Sequence, residues 1–197
     1  MHLLFVCTGN ICRSPLAKRL TLAYSQVERD ALGGELTARS AGTAAVVGHA
    51  MEQSASLVLQ GLGGDPEGFK ARQLVSEDIE TADMVFTMTR RQRGVVLQMA
   101  PRMMSRTFTL KEAAALLRTA DPASVPHEAD LEARGKQLAG RLTQLRAVRP
   151  VQRDHQRDDI SDPIGGDLQQ FQRVGDAIAS SLLPVLAALS ANGVSPH

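Results

Sequence analysis

The order of apolar and polar positions predicts short buried strands that alternate with amphipathic helices. Residues 3–6 form a continuous apolar run, which is typical of a buried strand. After a loop, apolar side chains recur at helical spacing at Leu16, Leu20, Tyr24 and Val27. Three later segments have strand composition, namely residues 36–40, part of 82–89, and 107–110. Because helices separate the strands throughout, we predict an α/β fold with a small doubly wound, four-stranded parallel sheet and helices on both faces.

The last part of the chain predicts one long helix. Its apolar stripe consists of Phe171, Val174, Ile178, Leu182, Val185 and Leu189. Pro184 lies inside this stripe, and a proline both lacks an N–H and crowds the preceding turn, so we expect the helix to end or kink there. The chain length suits a single domain, which we expect to comprise residues 1–197.

Composition narrows the classes of function. The 197 residues carry a formal net charge of +1, and no basic run is interleaved with aromatic side chains, so we expect no nucleic-acid partner. No uncharged stretch has the length of a membrane span and no secretory signal is visible, which favours a cytoplasmic protein without a membrane partner. The two cysteines, Cys7 and Cys12, are too close to form a disulfide scaffold. No Cys/His set has metal-ligand spacing, so we expect no metal and no cofactor.

The residues with the clearest chemistry are 7–15, with the sequence CTGNICRSP. They follow the first strand and lead into the first helix, for which Ser14 is a candidate capping residue and Pro15 suits the first position. The inward N–H groups of such a loop form an anion-binding nest, and the helix dipole adds positive potential. Arg13 adds a planar fork of donors that matches phosphate oxygens. Thiols in such surroundings ionise readily, so the loop combines a nucleophile, Cys7, with a cradle for a phosphoryl group.

The spacing Cys-x5-Arg-Ser is that of the phosphate-binding loop of cysteine-dependent phosphatases. In its fuller form, residues 6–15 resemble the low-molecular-weight protein tyrosine phosphatase family. The resemblance implies that Cys7 attacks phosphorus to form a phosphocysteine and that Arg13 stabilises the equatorial oxygens. The other loop residues expected around the phosphate are Thr8, Gly9, Asn10, Ile11, Cys12 and Ser14. The resemblance also places Ser40 behind the loop, where its hydroxyl could bond the loop; the alternative is a plain turn serine.

A second motif lies at residues 159–166. Asp162-Pro163 resembles the Asp-Pro pair of the family, in which the aspartate protonates the leaving oxygen and later activates water. Pro163 restricts the loop, so that the carboxyl group is held over the cradle. Asp158 and Asp159 are the alternative candidates for this acid.

The chain departs from the family in two places. Phe69 stands where the family commonly has histidine, so a hydrogen bond that buttresses the loop is either lost or supplied by another residue. Residues 119–158 are an insertion relative to compact members of the family. Apolar positions at helical spacing predict an amphipathic helix on the domain surface with partly mobile ends. The alternative is a lid or partner-docking arm near the mouth of the active site.

We predict a phosphatase that acts on phosphotyrosine in a phosphorylated protein, with the oligomeric state left open. Ile11 is apolar and suits the face of an aryl group, whereas the related arginine phosphatases have threonine there. Residues 162–166 and 86–89 nevertheless look more like the arginine phosphatases, so a protein-arginine phosphatase is the alternative.

Two further functions would use the same loop. Arsenate reduction occurs on the same fold, but the thioredoxin-coupled form needs cysteines after Cys12, and the chain has none; a form coupled to a small thiol needs no such cysteine. A non-catalytic phosphate-binding module is disfavoured, because binding alone requires neither the Cys7 thiolate nor the Asp162 acid. Since both cysteines lie in one loop, we also expect that oxidised Cys7 is resolved as a Cys7–Cys12 disulfide; the alternative is that Cys12 is a packed small residue.

Overall fold

The computed structural model describes residues 1–120, 130–150 and 155–191. The strands are β1 (His2–Cys7), β2 (Thr37–Gly42), β3 (Met84–Thr87) and β4 (Thr107–Thr109). The helices among the described residues are α1 (Arg13–Val27), α2 (Arg29–Leu32), α3 (Gln53–Gly61), α4 (Ser76–Glu80), α5 (Arg90–Met99), α6 (Leu110–Arg118), α7 (Leu131–Val148) and α8 (Leu168–Leu189). Short 3-10 segments cover Pro101–Arg106 and His155–Asp158.

The strands form one parallel sheet in the order β2-β1-β3-β4. In this register Cys7 at the end of β1 lies level with Gly42 of β2, and Val6 lies level with Thr87 of β3. The carboxyl ends of the strands therefore meet at one edge, which is where ligands bind in open parallel sheets. The predicted α/β fold with a four-stranded parallel sheet is confirmed.

Alternate residues of β1 face two separate apolar layers. Leu3 and Phe5 belong to the larger layer, which includes buried side chains of α1, α3, α6, α7 and α8. Leu4 and Val6 belong to a smaller layer with Ile79 of α4 and side chains of α5. This alternation follows from the two-residue period of a strand, and it gives a sheet that is covered by helices on both faces.

The predicted cap at Ser14 is wrong, and so is the first of the two alternatives at Pro184, an end of the helix, while a kink at Pro184 stays a prediction. Helix α1 begins at Arg13, so Ser14 lies inside its first turn rather than at the cap. Helix α8 continues through Pro184 to Leu189. A proline in a helix leaves the carbonyl four residues earlier without its usual partner. Here the guanidinium of Arg118 donates a hydrogen bond of 2.9 Å to that carbonyl, which is the carbonyl of Ser180.

Helix α7 occupies the middle of the insertion and is packed into the domain. Leu131, Leu138 and Leu142 are buried in the larger apolar layer. Arg134 is fully buried, and its guanidinium donates to the carbonyl groups of Leu32 and Leu189, the last residues of α2 and α8. The helix therefore closes the end of the larger layer. The expected mobile ends of the insertion fall mostly on residues 121–129 and 151–154, which lie outside the described residues.

Candidate active site

The loop of residues 7–14, called the phosphate loop below, starts where β1 ends. Segment 43–52 donates backbone hydrogen bonds to four of its carbonyl groups. They run from Thr43 to Cys7 (2.9 Å), Ala44 to Thr8 (3.0 Å), Val46 to Gly9 (3.0 Å) and Glu52 to Ile11 (2.8 Å). In a trans peptide the C=O and the N–H point in opposite directions. Because these carbonyl groups point outward, the N–H groups of the same peptides face into the loop, as an anion-binding nest requires.

The close approach of β2 to the loop requires glycine at its last residue. A Cβ atom added to Gly42 would lie 2.4 Å from the carbonyl oxygen of Thr8. A larger residue at position 42 would therefore push β2 and the phosphate loop apart.

The sulfur of Cys7 is buried and surrounded by donors. The backbone N–H of Asn10 donates to Sγ at 3.3 Å, and the Oγ of Ser14 lies 2.9 Å from it. The side-chain amide of Asn10 donates to the same Oγ at 2.9 Å, and the Ser14 hydroxyl has two acceptors within reach, the Cys7 sulfur and the carbonyl of Ala41 at 3.5 Å. The sulfur therefore lies beside one backbone N–H and one hydroxyl group.

Asn10 connects the loop to the segment that contains Phe69. Among the described residues, Asn10 is the non-glycine residue whose φ is positive (53°). Its Oδ1 accepts a hydrogen bond of 2.9 Å from the backbone N–H of Arg72. The Arg72 side chain in turn donates to the carbonyl of Ser40 (3.0 Å) and to the carboxylate of Asp78 (2.7 Å). Phe69 offers no such hydrogen bond, and in this chain Arg72 buttresses the loop through its backbone N–H.

Ser40 does not behave as the resemblance implies. Its Oγ is buried and has no hydrogen-bond partner among the described residues. The expected hydrogen bond from its hydroxyl to the loop is therefore wrong. Ser40 instead holds Arg72 through its backbone carbonyl, and Arg72 contacts the loop.

Arg13 and Asp162 meet beside the phosphate loop. The buried guanidinium donates through one nitrogen to the Asp162 carboxylate and through another to the carbonyl of Ile160 at 3.0 Å. The Asp162 side chain is 47% exposed, and its other oxygen accepts from the N–H of Ile164 at 3.3 Å. Pro163 begins the turn that follows, in which its carbonyl accepts from Gly166 at 2.8 Å.

The two alternative acids make other contacts. The carboxylate of Asp159 accepts from the N–H of Arg90, the first residue of α5, at 2.8 Å. The carboxylate of Asp158 is paired with Arg149 through two hydrogen bonds of 3.0 Å each. The structure thus brings Asp162, rather than either neighbour, to Arg13.

A cleft of about 680 Å³ opens above Arg13. Its lining residues are Thr8, Arg13, Thr43, Ala44, Thr89, Arg91, Gln92, Val95, Asp159, Ile160, Ser161 and Asp162. None of these side chains is aromatic, and none comes from α7. The lid alternative for the insertion therefore has no support in the described part of α7.

Two residues that the sequence analysis did not single out hold the loop in place. Gln92 is buried, and its amide donates to Thr8 Oγ1 at 3.1 Å while its oxygen accepts from the N–H of Met88 and of Thr89. Thr89-x-x-Gln92 has the pattern of a helix capping box, which could have drawn attention to Gln92. Arg72 acts through its backbone, and no side-chain pattern indicates that.

Cys12 is buried in the core, whereas Ile11 retains exposed surface while it packs against the core. Ile11 is partly buried, and it does not belong to the residues that line the cleft. Ile11 and Val46 converge over Gly9, since a Cβ atom there would lie 3.5 Å and 3.6 Å from their side chains. Burial raises the pKa of the Cys12 thiol, and the neighbouring Cys7 raises it further.

Among the residues that the structure describes, no cluster of three or more His, Cys, Asp or Glu side chains has the arrangement of a metal site. No helix in the described ranges combines the length and apolarity needed to cross a membrane.

A parallel sheet with a thiol-centred anion nest at its carboxyl edge defines a cysteine-dependent phosphatase, and comparison with known proteins agrees. The family model described as low molecular weight phosphotyrosine protein phosphatase matches residues 2–145. The chain belongs to this family of hydrolases. The match ends at residue 145 and does not include Asp162.

Two of the relatives are named for different activities. The chain is 33% identical over 110 residues to the low molecular weight protein-tyrosine-phosphatase Ptp of Acinetobacter johnsonii, covering 55% of this chain and 71% of the relative. It is 35% identical over 111 residues to a protein-arginine-phosphatase of Geobacillus stearothermophilus, covering 56% and 70%. A low molecular weight protein tyrosine phosphatase from T. tengcongensis superposes with a TM-score of 0.67 at 24% identity, covering 94% and 97% of the chains, which shows the shared fold.

Proposed function

We propose that this protein hydrolyses phosphotyrosine in protein substrates through a phosphocysteine at Cys7. The observation that carries the proposal is the surroundings of the Cys7 sulfur, which accepts from the N–H of Asn10 and lies 2.9 Å from the Ser14 hydroxyl. A structural cysteine has no need of such donors, whereas a nucleophilic thiolate is stabilised by them.

The reaction proceeds in two displacements. The Cys7 thiolate attacks phosphorus, so a P–S bond forms as the P–O bond to the leaving group breaks, and Asp162 gives its proton to the departing oxygen. Arg13 and the inward N–H groups hold the equatorial oxygens while charge builds on them. In the second step Asp162 takes a proton from water as that water attacks phosphorus, which releases phosphate and regenerates the thiolate.

The Arg13–Asp162 pair is part of this proposal. A phosphoryl oxygen and the Asp162 carboxylate are alternative acceptors for the same guanidinium N–H. A protonated Asp162 carries no negative charge to attract Arg13. When substrate binds, the hydrogen bond of the guanidinium group therefore moves from the acid to a phosphoryl oxygen. The acid is then free to face the leaving oxygen.

The choice of phosphotyrosine rests on the apolar surface beside the cradle. Ile11 and Val46 meet over Gly9, and both are partly exposed, so together they present aliphatic groups to an aryl ring. A guanidinium group placed there would lose hydrogen-bond partners, which costs about 1–3 kcal/mol. That corresponds to roughly a tenfold to hundredfold preference.

A protein-arginine phosphatase is the second candidate. It is favoured by the cleft, whose lining side chains include threonines and Asp159 but no aromatic group that would stack on a tyrosine ring. One relative is named as an arginine phosphatase, which supports weighing the two substrates side by side.

The test compares one peptide phosphorylated on tyrosine with the same peptide phosphorylated on arginine. We expect the wild type to have the higher kcat/KM on phosphotyrosine, and Ile11→Thr to shift the ratio roughly tenfold toward phosphoarginine. Cys7→Ser should lose turnover on both peptides while it still binds inorganic phosphate. A higher wild-type kcat/KM on phosphoarginine would select the second candidate, and Cys7→Ser activity within tenfold of wild type would exclude both.

The chemistry also bears on location. Catalysis requires Cys7 as a free thiolate, and both cysteines are free in the structure. A reducing compartment keeps such a thiol active, which supports the cytoplasm as the site of action.

A further inference from the structure

We propose that the carboxyl end of α7 positions the acid-bearing loop, and that Arg149 is the positioning residue. This loop, residues 158–162, is called the acid loop. The inference rests on the proposed function, in which Asp162 is the general acid. It gives the insertion a role in catalysis, although no residue of α7 lines the cleft.

The direct evidence is the ion pair between Arg149 and Asp158. Both terminal nitrogens of the guanidinium donate to the two carboxylate oxygens, each at 3.0 Å. The two side chains are only 18% and 15% exposed. Such a two-pronged pair fixes orientation as well as distance, so it holds the first residue of the acid loop in one place.

The end of α7 that carries Arg149 is itself held in place by the side chain of Arg146. One turn before Arg149, the guanidinium of Arg146 makes bonds of 2.7 Å and 2.9 Å to the two carboxylate oxygens of Glu112. It also donates to the carbonyl of Thr107 at 2.9 Å and lies 4.0 Å from the ring centre of Phe108. The end of α7 is thus attached to β4 and to the first turn of α6, which are rigid elements of the sheet layer.

The acid loop has contacts that carry this placement to Asp162. The hydroxyl of Thr109 donates to the carbonyl of Asp158 at 2.8 Å, and the N–H of Ile160 donates to the carbonyl of Met88 at 2.8 Å. The carbonyl of Ile160 then accepts from Arg13. Each of these hydrogen bonds fixes one point of the acid loop. A change at Asp158 therefore alters the position of Asp162 relative to the phosphoryl group.

Neither member of the pair contacts the phosphate loop. The Asp158 side chain does not line the cleft. The guanidinium of Arg149 donates through both of its terminal nitrogens to the Asp158 carboxylate. Loss of the pair should therefore impair proton donation and leave phosphate binding intact. The remaining contacts at Thr109 and Ile160 should make the loss partial.

The experiment measures kcat/KM for aryl phosphates whose leaving phenols differ in acidity. A weakly acidic phenol needs the acid and a strongly acidic phenol does not. We expect Arg149→Ala and Asp158→Asn to lose about 5–20-fold on the weakly acidic phenol and less than twofold on the strongly acidic one. The inhibition constant of inorganic phosphate should stay within twofold of wild type.

Two controls separate positioning from general damage. Arg102→Ala also removes an arginine from an ion pair, but that pair with Glu80 is exposed and spans 3.6 Å, and we expect no change on either substrate. The double variant of Arg149→Ala and Asp158→Asn should lose no more than the larger single effect, because the two residues act as a pair. Arg149→Lys, which keeps one contact, should fall between wild type and Arg149→Ala.

Equal losses on both phenols, or no loss on either, would overturn the inference. Asp162→Asn measured in parallel separates this result from the proposed function. If Asp162→Asn shows the leaving-group dependence and the Arg149 and Asp158 variants do not, only the positioning role fails. If Asp162→Asn shows none, the acid itself is wrongly assigned. Should Arg149→Ala not fold, Asp158→Asn and Arg149→Lys decide the question alone.

Discussion

Asn10 illustrates how much a single residue does in this site. Its backbone adopts a positive φ of 53°, which asparagine tolerates better than most residues. That conformation turns its N–H toward the Cys7 sulfur, while its amide bridges Ser14 and the backbone of Arg72. The donors around the nucleophile are therefore fixed before any substrate binds. Such preorganisation lowers the activation barrier of phosphoryl transfer.

Asp162 should contribute a large part of the rate of phosphotyrosine hydrolysis. Asp162→Asn should lower turnover of phosphotyrosine by roughly 10²–10⁴-fold, the usual contribution of a positioned acid. The loss should shrink for an aryl phosphate with a strongly acidic phenol, since that group departs without a proton. Steady-state kinetics on the two substrates test this. A large effect of Asp159→Asn together with a small one of Asp162→Asn would show that the acid has been misidentified.

Cys12 leads to the second prediction. Peroxide oxidises the Cys7 thiolate to a sulfenic acid, which the Cys12 thiol can attack to form a disulfide and release water. Because burial raises the pKa of Cys12, we expect this step to quicken as the pH rises. Wild-type activity should return on addition of a thiol, whereas Cys12→Ala should stay inactive. Mass spectrometry that found over-oxidised Cys7 and no disulfide in the wild type would contradict the prediction.

At the scale of elements, the site is assembled from segments that hold one another. The phosphate loop depends on segment 43–52 for its outward carbonyl bonds, and on α5 for Gln92. The acid loop depends on α5, the end of β4 and the end of α7. Each segment is short and weakly structured alone, so the precision of the site comes from contacts between elements.

The junction of β1 and β2 gives a prediction at this scale. His2 pairs with Thr37 in the sheet register, and its Nδ1 lies 2.9 Å from the Thr37 hydroxyl. Burial lowers the pKa of His2, and Arg39 lowers it further. The unfolded chain therefore binds this proton at higher pH than the folded protein does, so stability should fall as pH drops below about 6.5.

Urea unfolding at pH 7.5 and pH 5.5 would measure this effect. His2→Gln should reduce the loss of unfolding free energy between the two pH values. His49→Gln, a matched change at an exposed histidine, should leave that loss as in the wild type. If both variants respond to pH as the wild type does, His2 does not contribute to the acid sensitivity.

For the whole molecule, the phosphate loop lies at the meeting point of the sheet and α1. Ligand binding to it should therefore stabilise the complete fold rather than a local loop. Inorganic phosphate at about 100 times its Kd should add about 2.7 kcal/mol. For a chain of this size that corresponds to a rise in Tm of roughly 5–11 °C.

Thermal unfolding with and without phosphate tests this prediction. Arg13→Lys should lose most of the rise, because an ammonium group cannot make the two-pronged contact. Arg102→Ala, which lies away from the site, should keep it. An equal rise in wild type and Arg13→Lys would mean that phosphate binds elsewhere.

The amino-acid sequence by itself determined the α/β class, the order of strands and helices, and the composition of the phosphate loop. These features are local, since strand and helix periods are visible over a few residues and the loop is contiguous from Cys7 to Ser14. The same locality explains the errors. Capping by Ser14 and a stop at Pro184 follow from local preference, and tertiary contacts overrode both.

The tertiary structure decided which distant groups support the site. Arg72 reaches Asn10 across 62 residues, Gln92 reaches Thr8 across 84, and Arg13 reaches Asp162 across 149. Such pairs leave no spacing pattern in one chain, because they depend on how the sheet brings separate loops to one edge. A backbone N–H such as that of Arg72 is present in every residue except proline, so only its position in space gives it a role.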